Sequence, residues 1–453
     1  MTASDKLVKL KIVDLAFDGK SVAHLDGKVV FLKGGLPGET VEAEIVQSRR
    51  RYDQALVHRI IEKSEYRKDA RCSHFGQCGG CTWQDLDYEQ QLLFKHKQVV
   101  DCLKRLGGFE DIKVEPLVGV AEPFYYRNKM EFSFHVDDDD SLRLGLHERG
   151  RFDRIFDLFE CYLQSELSNQ VVACLRSFSV DNGIPAYNVK THEGYLRFLV
   201  IRQTARTDQL MVNLVTNQGD FPDVDKLVSE LTAAVPQITT IVHNRTGKVS
   251  NVAVGETEEI LSGPGYIEEE LSGRRFVIRA NSFFQTNSLQ AEKLYNVAFE
   301  MLEPQPDERV LDLFCGAGTI GILLADKVAE VLGVELVQDA VEAASRNAAL
   351  NEIDNISFFC GHVRDFLKET PPEQLGRPTV IVDPPRAGLH PKAVKRIIEM
   401  QPEKLLYISC NPATFARDAK LLCVAGYDLP MVRPVDMFPH TMHIELVGRF
   451  FRK

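Results

Sequence analysis

Apolar and polar residues alternate from Lys6 to Ser64, and the alternation breaks at Asp18-Gly19 and Asp26-Gly27. A period of two fits strands with one buried face, and Asp-Gly suits a tight hairpin turn, whose central residues need positive φ. Five or so short strands in about 60 residues predict a small barrel of the OB type. The segment "YEQQLLFKHKQVVDCLKRLGG" then changes to helical spacing. Leu92, Val99, Leu103 and Leu106 fall near one face, and Gly107-Gly108 stops the helix.

Residues 124–280 mix strands ("KMEFSFHV", "LRFLVIRQ", "QLMVNLVTN") with helices near 164–178 and 223–235. The acidic run Asp137 to Asp140 reads as a solvated hairpin tip. From about residue 285, the apolar runs "RVLDLFC", "EVLGVEL", "ISFFCG", "PTVIVDPP" and "KLLYISC" alternate with helical stretches. That is the pattern of a doubly wound α/β sheet. The expected architecture is α/β and multidomain: a barrel over 1–66, an α+β central domain over 67–284 and a Rossmann-like domain over 285–453.

With 453 residues the chain exceeds one ordinary core. No apolar run reaches the roughly 18 residues of a membrane span. The N-terminus lacks a signal-peptide pattern, so the cytoplasm is the expected compartment. Thiols stay reduced there, and clustered cysteines among the ten present suggest metal binding or catalysis rather than disulfides. A net charge of −11 weighs against a nucleic-acid partner. Its distribution changes that picture, because residues 49–71 hold eight Lys and Arg against four Asp and Glu.

"VLDLFCGAGTIGILLA" places a strand before Gly316 and Gly318 and a helix after them. Glycine there lets backbone approach a ligand closely. About 20 residues on, "EVLGVE" ends in Glu335, placed for ribose hydroxyls. NAD and S-adenosylmethionine both satisfy that geometry. The turn lacks Gly-x-Gly-x-x-Gly, and "VDPPRAG" puts Asp383 and a stiff backbone at the next strand's C-terminal edge. Both features favour S-adenosylmethionine, and hence a methyltransferase domain.

Strand "KLLYISC" ends at Cys410 on the same sheet edge. A thiolate beside a methyl donor has a definite use. Addition to carbon 6 of a pyrimidine creates nucleophilic density at carbon 5, which can then take the methyl group. The carbon 5 proton must leave, so a general base is required. "PHTMHIELVGRF" offers His440, His443 and Glu445, the last within an apolar run where burial raises a carboxylate pKa. Cys315, inside the glycine turn, reads as packing.

"CSHFGQCGGCTW" spaces Cys72, Cys78 and Cys81 as x5 then x2. A tetrahedral zinc or a [4Fe–4S] cluster needs a fourth ligand. Cys161 is the best candidate, because Cys102 and Cys174 lie in predicted helices. Zinc and iron–sulfur both remain open on spacing alone.

"DLFCGAGTIG", "DPPRAG", "YISCNPATFARD" and "HIELV", in this order, resemble the uracil-C5 RNA methyltransferases. The N-terminal barrel resembles the TRAM domain, and "NSFFQTN" (281–287) resembles the family segment whose Gln touches the cofactor. The resemblance spans the chain. It implies Cys410 as nucleophile, Glu445 as base, and S-adenosylmethionine contacts at Gln285, Phe314, Glu335 and Asp383. Thr319 stands where many members have Asn. His362 stands where an acid or amide is usual, with Asp365 as a nearby alternative. The resemblance also implies a [4Fe–4S] cluster on Cys72, Cys78, Cys81 and Cys161. Domain content implies 23S rRNA as substrate, at U1939, with no obligate protein partner and a monomeric chain. RNA contacts are expected on the barrel, on the 49–71 segment and at Tyr125, Tyr126, Arg127 and Lys129.

Overall fold

The structure is a computed structural model and describes residues 7–453 except Asp138 and Phe152, and except the side chains of Pro372 and Glu373. Strands β1 (Leu7–Leu15), β2 (Ser21–Leu25), β3 (Lys28–Lys33), β4 (Thr40–Ser48) and β5 (Tyr52–Glu62) close into a barrel in the order β1-β2-β3-β5-β4. The apolar half of the alternation points inward, with Leu10, Ile12, Val30, Leu32 and Val41 in its core. Asp26 and Gly27 have φ of 48° and 78°, as the two-residue turn between β2 and β3 requires. Closure leaves no free sheet edge.

Arg49, Arg50 and Arg51 lie exposed at the β4–β5 turn, so part of the basic excess is displayed there. Arg67 is not. Its guanidinium bridges Glu39 and Asp85 with only 17% of the side chain exposed. That residue of the basic segment ties the barrel to the chain after it.

Helix α1 (Tyr88–Cys102) is capped by Asp87, whose carboxylate accepts from the Glu89 N–H. Val99 and Leu103 are fully buried, but Leu106 is 50% exposed. The expected apolar face fails at Leu106 because the helix finishes in a π turn over Leu103–Gly107. The wider turn rotates the last side chains off the helical stripe. Gln91, Lys95 and Gln98 are buried despite their polarity. The chain next adds β6 (Lys113–Val114) to the C-terminal sheet.

The central sheet holds β7 (Lys129–Val136), β8 (Leu142–His147), β9 (Ile155–Asp157), β10 (Leu196–Gln203), β11 (Leu210–Thr216), β12 (Ile238–Arg245) and β13 (Thr257–Ser262). Their order is β13-β12-β11-β10-β7-β8-β9. Only β11 and β12 run parallel, and α3 (Val224–Ala234) is their crossover. Helix α2 (Glu166–Asp181) packs beside α3 on the sheet. At the β7–β8 tip, Asp137 and Asp139 face Arg143 at 3.4 and 3.6 Å. Asp138, of the expected solvated run, lies outside the described residues. A separate hairpin, β14 (Tyr266–Leu271) and β15 (Arg274–Arg279), packs under the next helix.

The C-terminal half comprises α4 (Ser288–Leu302), β16 (Arg309–Leu313), α5 (Thr319–Leu324), β17 (Glu330–Glu335), α6 (Gln338–Leu350), β18 (Ile356–Cys360), α7 (Val363–Glu369), α8 (Pro372–Leu375) and β19 (Thr379–Val382). It continues through α9 (Pro391–Met400), β20 (Lys404–Ser409), α10 (Pro412–Val424), β21 (Tyr427–Asp428), β22 (Met431–Val435) and β23 (Glu445–Arg452). The sheet order is β18-β17-β16-β19-β20-β23-β22-β6, with β21 beside β23. The first five strands are parallel, and β16, β19 and β20 at the centre are buried almost throughout, which is why they read as continuous apolar runs, while the edge strand β18 keeps Phe359 and Cys360 exposed. Strand order reverses at β16, between β17 and β19, and opens a crevice at the strands' C-terminal ends. Among the described residues no helix is long and apolar enough to cross a membrane.

Candidate active site

The crevice is built from four chain turns. After β16, Phe314 takes φ of 67° and its N–H, like that of Cys315, donates to the Val334 carbonyl. Gly316 (φ 54°) and Gly318 (φ 77°) complete the turn into α5, with Thr319 as its first residue. Glu335, ending β17, accepts from the N–H groups of Gly316, Leu336 and Val337 at 3.1, 2.7 and 3.0 Å. Its carboxylate thereby staples two neighbouring turns. His362 stands exposed at the N-cap position of α7, one strand further out, with no capping bond from its side chain, and Asp365 lies one turn along that helix beside Arg364. Gln285 sits on the segment before α4, where its carbonyl accepts from Asn128 Nδ2 at 2.8 Å.

Asp383 follows β19 and Cys410 follows β20. The antiparallel pairing of β20 with β23 matches Ser409 to Leu446. Cys410 directly follows Ser409 and Glu445 directly precedes Leu446, so both lie at the same end of this strand pair, close enough for the Glu445 charge to act on the Cys410 thiol. Cys410 is half-buried, and Glu445 is 7% exposed. Burial, then the Glu445 and Asp383 carboxylates, push the Cys410 thiol up to about 11, against the pull of Arg386. Burial first and Asp383 second hold Glu445 well above the usual carboxylate range, again opposed by Arg386. Burial likewise raises Asp383 to about 7.

Several participants carried no expectation from sequence. Asp312, inside β16, is fully buried, and burial together with Asp383 raises it to about 7. Its Oδ2 accepts from the Gly321 N–H at 3.1 Å, while Oδ1 has no hydrogen-bond partner. An acid within an apolar strand was the available signal. Tyr295, buried on α4, adjoins Asp383 and Gln285. Asp418, inside "YISCNPATFARD", accepts from Leu389 N–H at 2.8 Å and Tyr407 O–H at 2.9 Å. Asn411 Nδ2 donates to the Arg386 carbonyl at 3.1 Å. The "NPATFARD" segment is thus the clamp that shapes the "PPRAGL" loop around the crevice.

Cys72, Cys78, Cys81 and Cys161 line one cavity, with His74, Gln84 and Arg127 in its wall. Cys161 arrives from the segment before α2, held by its N–H bond to Asn169 Oδ1 at 2.9 Å. Cys78 Sγ accepts from the Gly80 N–H at 3.2 Å, and Cys81 Sγ from Gln84 Nε2 at 3.6 Å. Burial pushes the Cys78 thiol up to about 11 and Cys81 to about 12. Among the described residues no group of three or more His, Cys, Asp or Glu is arranged to hold a single metal ion. Cys315 is buried beside Gly333, as packing requires. Cys360, in contrast, is exposed at the end of β18. Two expected RNA contacts also have structural partners: Lys129 pairs with Glu131 at 2.6 Å, and the Tyr126 hydroxyl donates to the Pro439 carbonyl at 3.1 Å.

Residues 6–55 match the TRAM domain, and residues 87–453 match the family described as tRNA (Uracil-5-)-methyltransferase. This chain belongs to the uracil-5-methyltransferase family. An RNA methyltransferase of Chlorobaculum tepidum, its function uncharacterized, is 41% identical over 98% of this chain and 96% of its own length. One from Caldanaerobacter subterraneus subsp. tengcongensis is 37% identical over 98% and 99%. The Pyrococcus abyssi tRNA (uracil-54, C5)-methyltransferase, solved with S-adenosyl-L-homocysteine, superposes with a TM-score of 0.78. It is 32% identical and covers 98% of this chain and 100% of that one. The alignment with that transfer-RNA enzyme takes in the barrel as well as the catalytic half of this chain.

Proposed function

We propose that this protein transfers a methyl group from S-adenosylmethionine to carbon 5 of a uridine in structured RNA, with U1939 of 23S rRNA as the first target. The observation that supports the reading is the meeting of Cys410 and Glu445 at one end of the β20–β23 pair, with Asp383 near enough to act on both. A crevice with a turn open at Gly316, a partnerless Asp312 oxygen and two acids raised by burial fits a cationic cofactor. Gln285, Phe314, Thr319, Glu335, His362 and Asp383 would hold it, and when bound it supplies an electrophilic methyl group on sulfonium sulfur.

The chain's own residues do the rest. The Cys410 thiolate adds to uracil carbon 6, and the carbon 5–carbon 6 electron pair moves onto carbon 5 and oxygen 4. Carbon 5 is thereby made the nucleophile for the methyl group that the bound cofactor would supply, the methyl–sulfur electron pair leaving with sulfur. Glu445 then accepts the carbon 5 proton, and the carbon 6–sulfur bond breaks to return the thiolate. Arg386 supplies positive charge that favours both anions. A uracil stacked in a duplex hides carbon 6, so the nucleotide must be extruded or taken from a loop. The exposed Arg49–Arg51 turn of the barrel is the electrostatic guide for that RNA.

Cys72, Cys78, Cys81 and Cys161 would hold a [4Fe–4S] cluster in a structural role. Four thiols around one cavity, two of them accepting N–H bonds, suit that group. Iron and sulfide analysis of anaerobically purified protein tests it, and zinc in their place overturns it. We assign residues 1–66 to RNA binding, 67–284 to the cluster and RNA, and 285–453 to methyl transfer, in a monomeric cytoplasmic enzyme.

A second reading, uridine 54 of tRNA, is favoured by the full-length likeness to the Pyrococcus abyssi enzyme. Mapping 5-methyluridine after incubation with unmodified 23S rRNA and with unmodified tRNA separates the two. Absence of 5-methyluridine from both sinks the uracil-C5 reading.

A further inference from the structure

The loop between β22 and β23, residues 436–444, ends directly at Glu445. Its two ends are fixed by the sheet, where Val435 pairs with Glu445. Its interior is fixed by residues far away in sequence. Lys95 and Asp436 form an ion pair at 2.7 Å with both side chains fully buried. The same ammonium donates to the Phe438 carbonyl at 3.1 Å, and the Tyr88 hydroxyl donates to Asp436 Oδ2 at 2.9 Å. Gln91 Oε1 accepts from the His440 N–H at 2.9 Å, and its Nε2 lies 3.1 Å from His440 Nδ1.

Two further ties come from the residues just after Cys81. The N–H groups of Thr82 and Trp83 both donate to the His440 carbonyl, at 2.7 and 3.0 Å. His440 is held at φ of 65°, a left-handed conformation that a β-branched or bulky side chain does not adopt freely. Asn287, capping α4, donates to the Met437 carbonyl at 2.9 Å. A nine-residue loop held by this many buried polar contacts is fixed in one arrangement. None of those contacts touches the crevice residues themselves.

We propose that Lys95, with Tyr88 and Gln91 on the same helix, is a positioning residue for the proton-removal step, holding the 436–444 loop so that Glu445 faces the carbon 5 proton of the Cys410-bound uridine. The inference rests on the methyl-transfer reading above. Helix α1 is then more than a connector between the cysteine loop and the sheet. It is the part that sets the base against the nucleophile. Cys410, Asp383 and the glycine turn are held by other elements, so addition and methyl transfer do not depend on this loop.

The consequence is specific to one step. Loosening the loop slows elimination while addition and methylation proceed, so covalent enzyme–RNA adduct accumulates. Two variants test this, Tyr88→Phe and the charge-neutral pair Lys95→Met with Asp436→Asn, which leaves no lone buried charge. Each is incubated with S-adenosylmethionine and unmodified substrate RNA. Adduct is read on a denaturing gel, 5-methyluridine by nucleoside analysis, and fold by thermal melting. The expected result is a product rate at least tenfold lower in the pair, a severalfold larger adduct fraction in both variants, and an unchanged KM for S-adenosylmethionine.

Adduct and product falling together, in step with the melting temperature, would make the clamp merely structural and overturn the proposal. A wild-type adduct-to-product ratio in both variants would overturn it too. A wild-type enzyme that forms no adduct with 5-fluorouridine RNA instead overturns the methyl-transfer reading, and this inference with it.

Discussion

Replacing Gly318 by Ala separates backbone strain from overpacking at the cofactor turn. A Cβ on Gly318 would lie 2.9 Å from Phe358 Cζ and 3.0 Å from Ala344 Cβ, at a φ of 77°. The left-handed conformation costs an L-residue about 1–2 kcal/mol. Forcing a methyl group against a packed ring costs about 1–3 kcal/mol more, and Ala344 on α6 is fully buried and cannot withdraw. The total is about 2–5 kcal/mol. At roughly 2–4 °C per kcal/mol for a unit of this size, melting falls by about 4–20 °C. Gly316 is the internal control. Its φ is 54° but its Cβ would meet nothing within 4 Å. Gly316→Ala therefore carries only the strain, about 1–2 kcal/mol, while placing a methyl group in the open space where the cofactor is proposed to sit. Scanning calorimetry and equilibrium binding of S-adenosylhomocysteine read the two effects. Gly318→Ala should lose mainly stability and Gly316→Ala mainly affinity. If Gly318→Ala melts no lower than Gly316→Ala, the Phe358 ring yields freely and the packing argument is wrong.

Other consequences follow from the same geometry. Cys410 must be ionised to add and Glu445 ionised to accept the carbon 5 proton, and both are raised by burial, so single-turnover release of free 5-methyluridine RNA should climb from pH 6 to pH 9; release that is flat with pH while adduct formation climbs would remove Glu445 as the base. Asp312 and Asp383 are raised from 3.8 to about 7, so the stability they lend is full below pH 4 and is lost as pH rises through 7. A cationic ligand relieves that loss, and the melting shift given by S-adenosylmethionine should be larger at pH 8 than at pH 5.5; the reverse order would refute the charge argument. Asp418→Asn weakens the clamp on the Leu389 N–H and the Tyr407 hydroxyl by about 1–3 kcal/mol, and hydrogen exchange at residues 386–390 should speed up; unchanged protection would show that the loop holds itself. Arg67→Met leaves the fully buried Glu39 without its cation and should cost about 3–5 kcal/mol in denaturant unfolding, against less than 1 kcal/mol for an ordinary surface ion pair.

Legibility followed the range of the interaction. The barrel, the five parallel strands and the helices between them were readable because alternation, helical spacing and Asp-Gly or Gly-Gly breaks are local properties. "KMEFSFHV" and "LRFLVIRQ" coincide with β7 and β10 to the residue. The helix at 88–102 was readable as a helix but not as a surface. Gln91, Lys95 and Gln98 count as solvent-facing on any polarity scale, yet they are buried, because their partners come from the Asp436–His440 loop and from the Leu15 and Ala16 carbonyls. Leu106 failed for a local reason that no periodicity carries, the π turn.

The sequence by itself determined the parts: a barrel with a basic turn, a glycine turn before a helix, an Asp-Pro-Pro strand end, a terminal cysteine and a run of three closely spaced thiols. Those are short-range patterns, and the chemistry of each side chain comes with it. Tertiary structure alone decided who meets whom. The antiparallel insertion of β23 beside β20 pairs Ser409 with Leu446 and so brings Glu445 to the same strand ends as Cys410, 35 positions earlier in sequence. Folding of the central sheet brings Cys161 to the other three thiols, and α1 closes on the loop before β23. Contacts between distant segments depend on strand order and register, and the local hydrophobic pattern fixes neither, because the same apolar strand can serve many positions in a sheet.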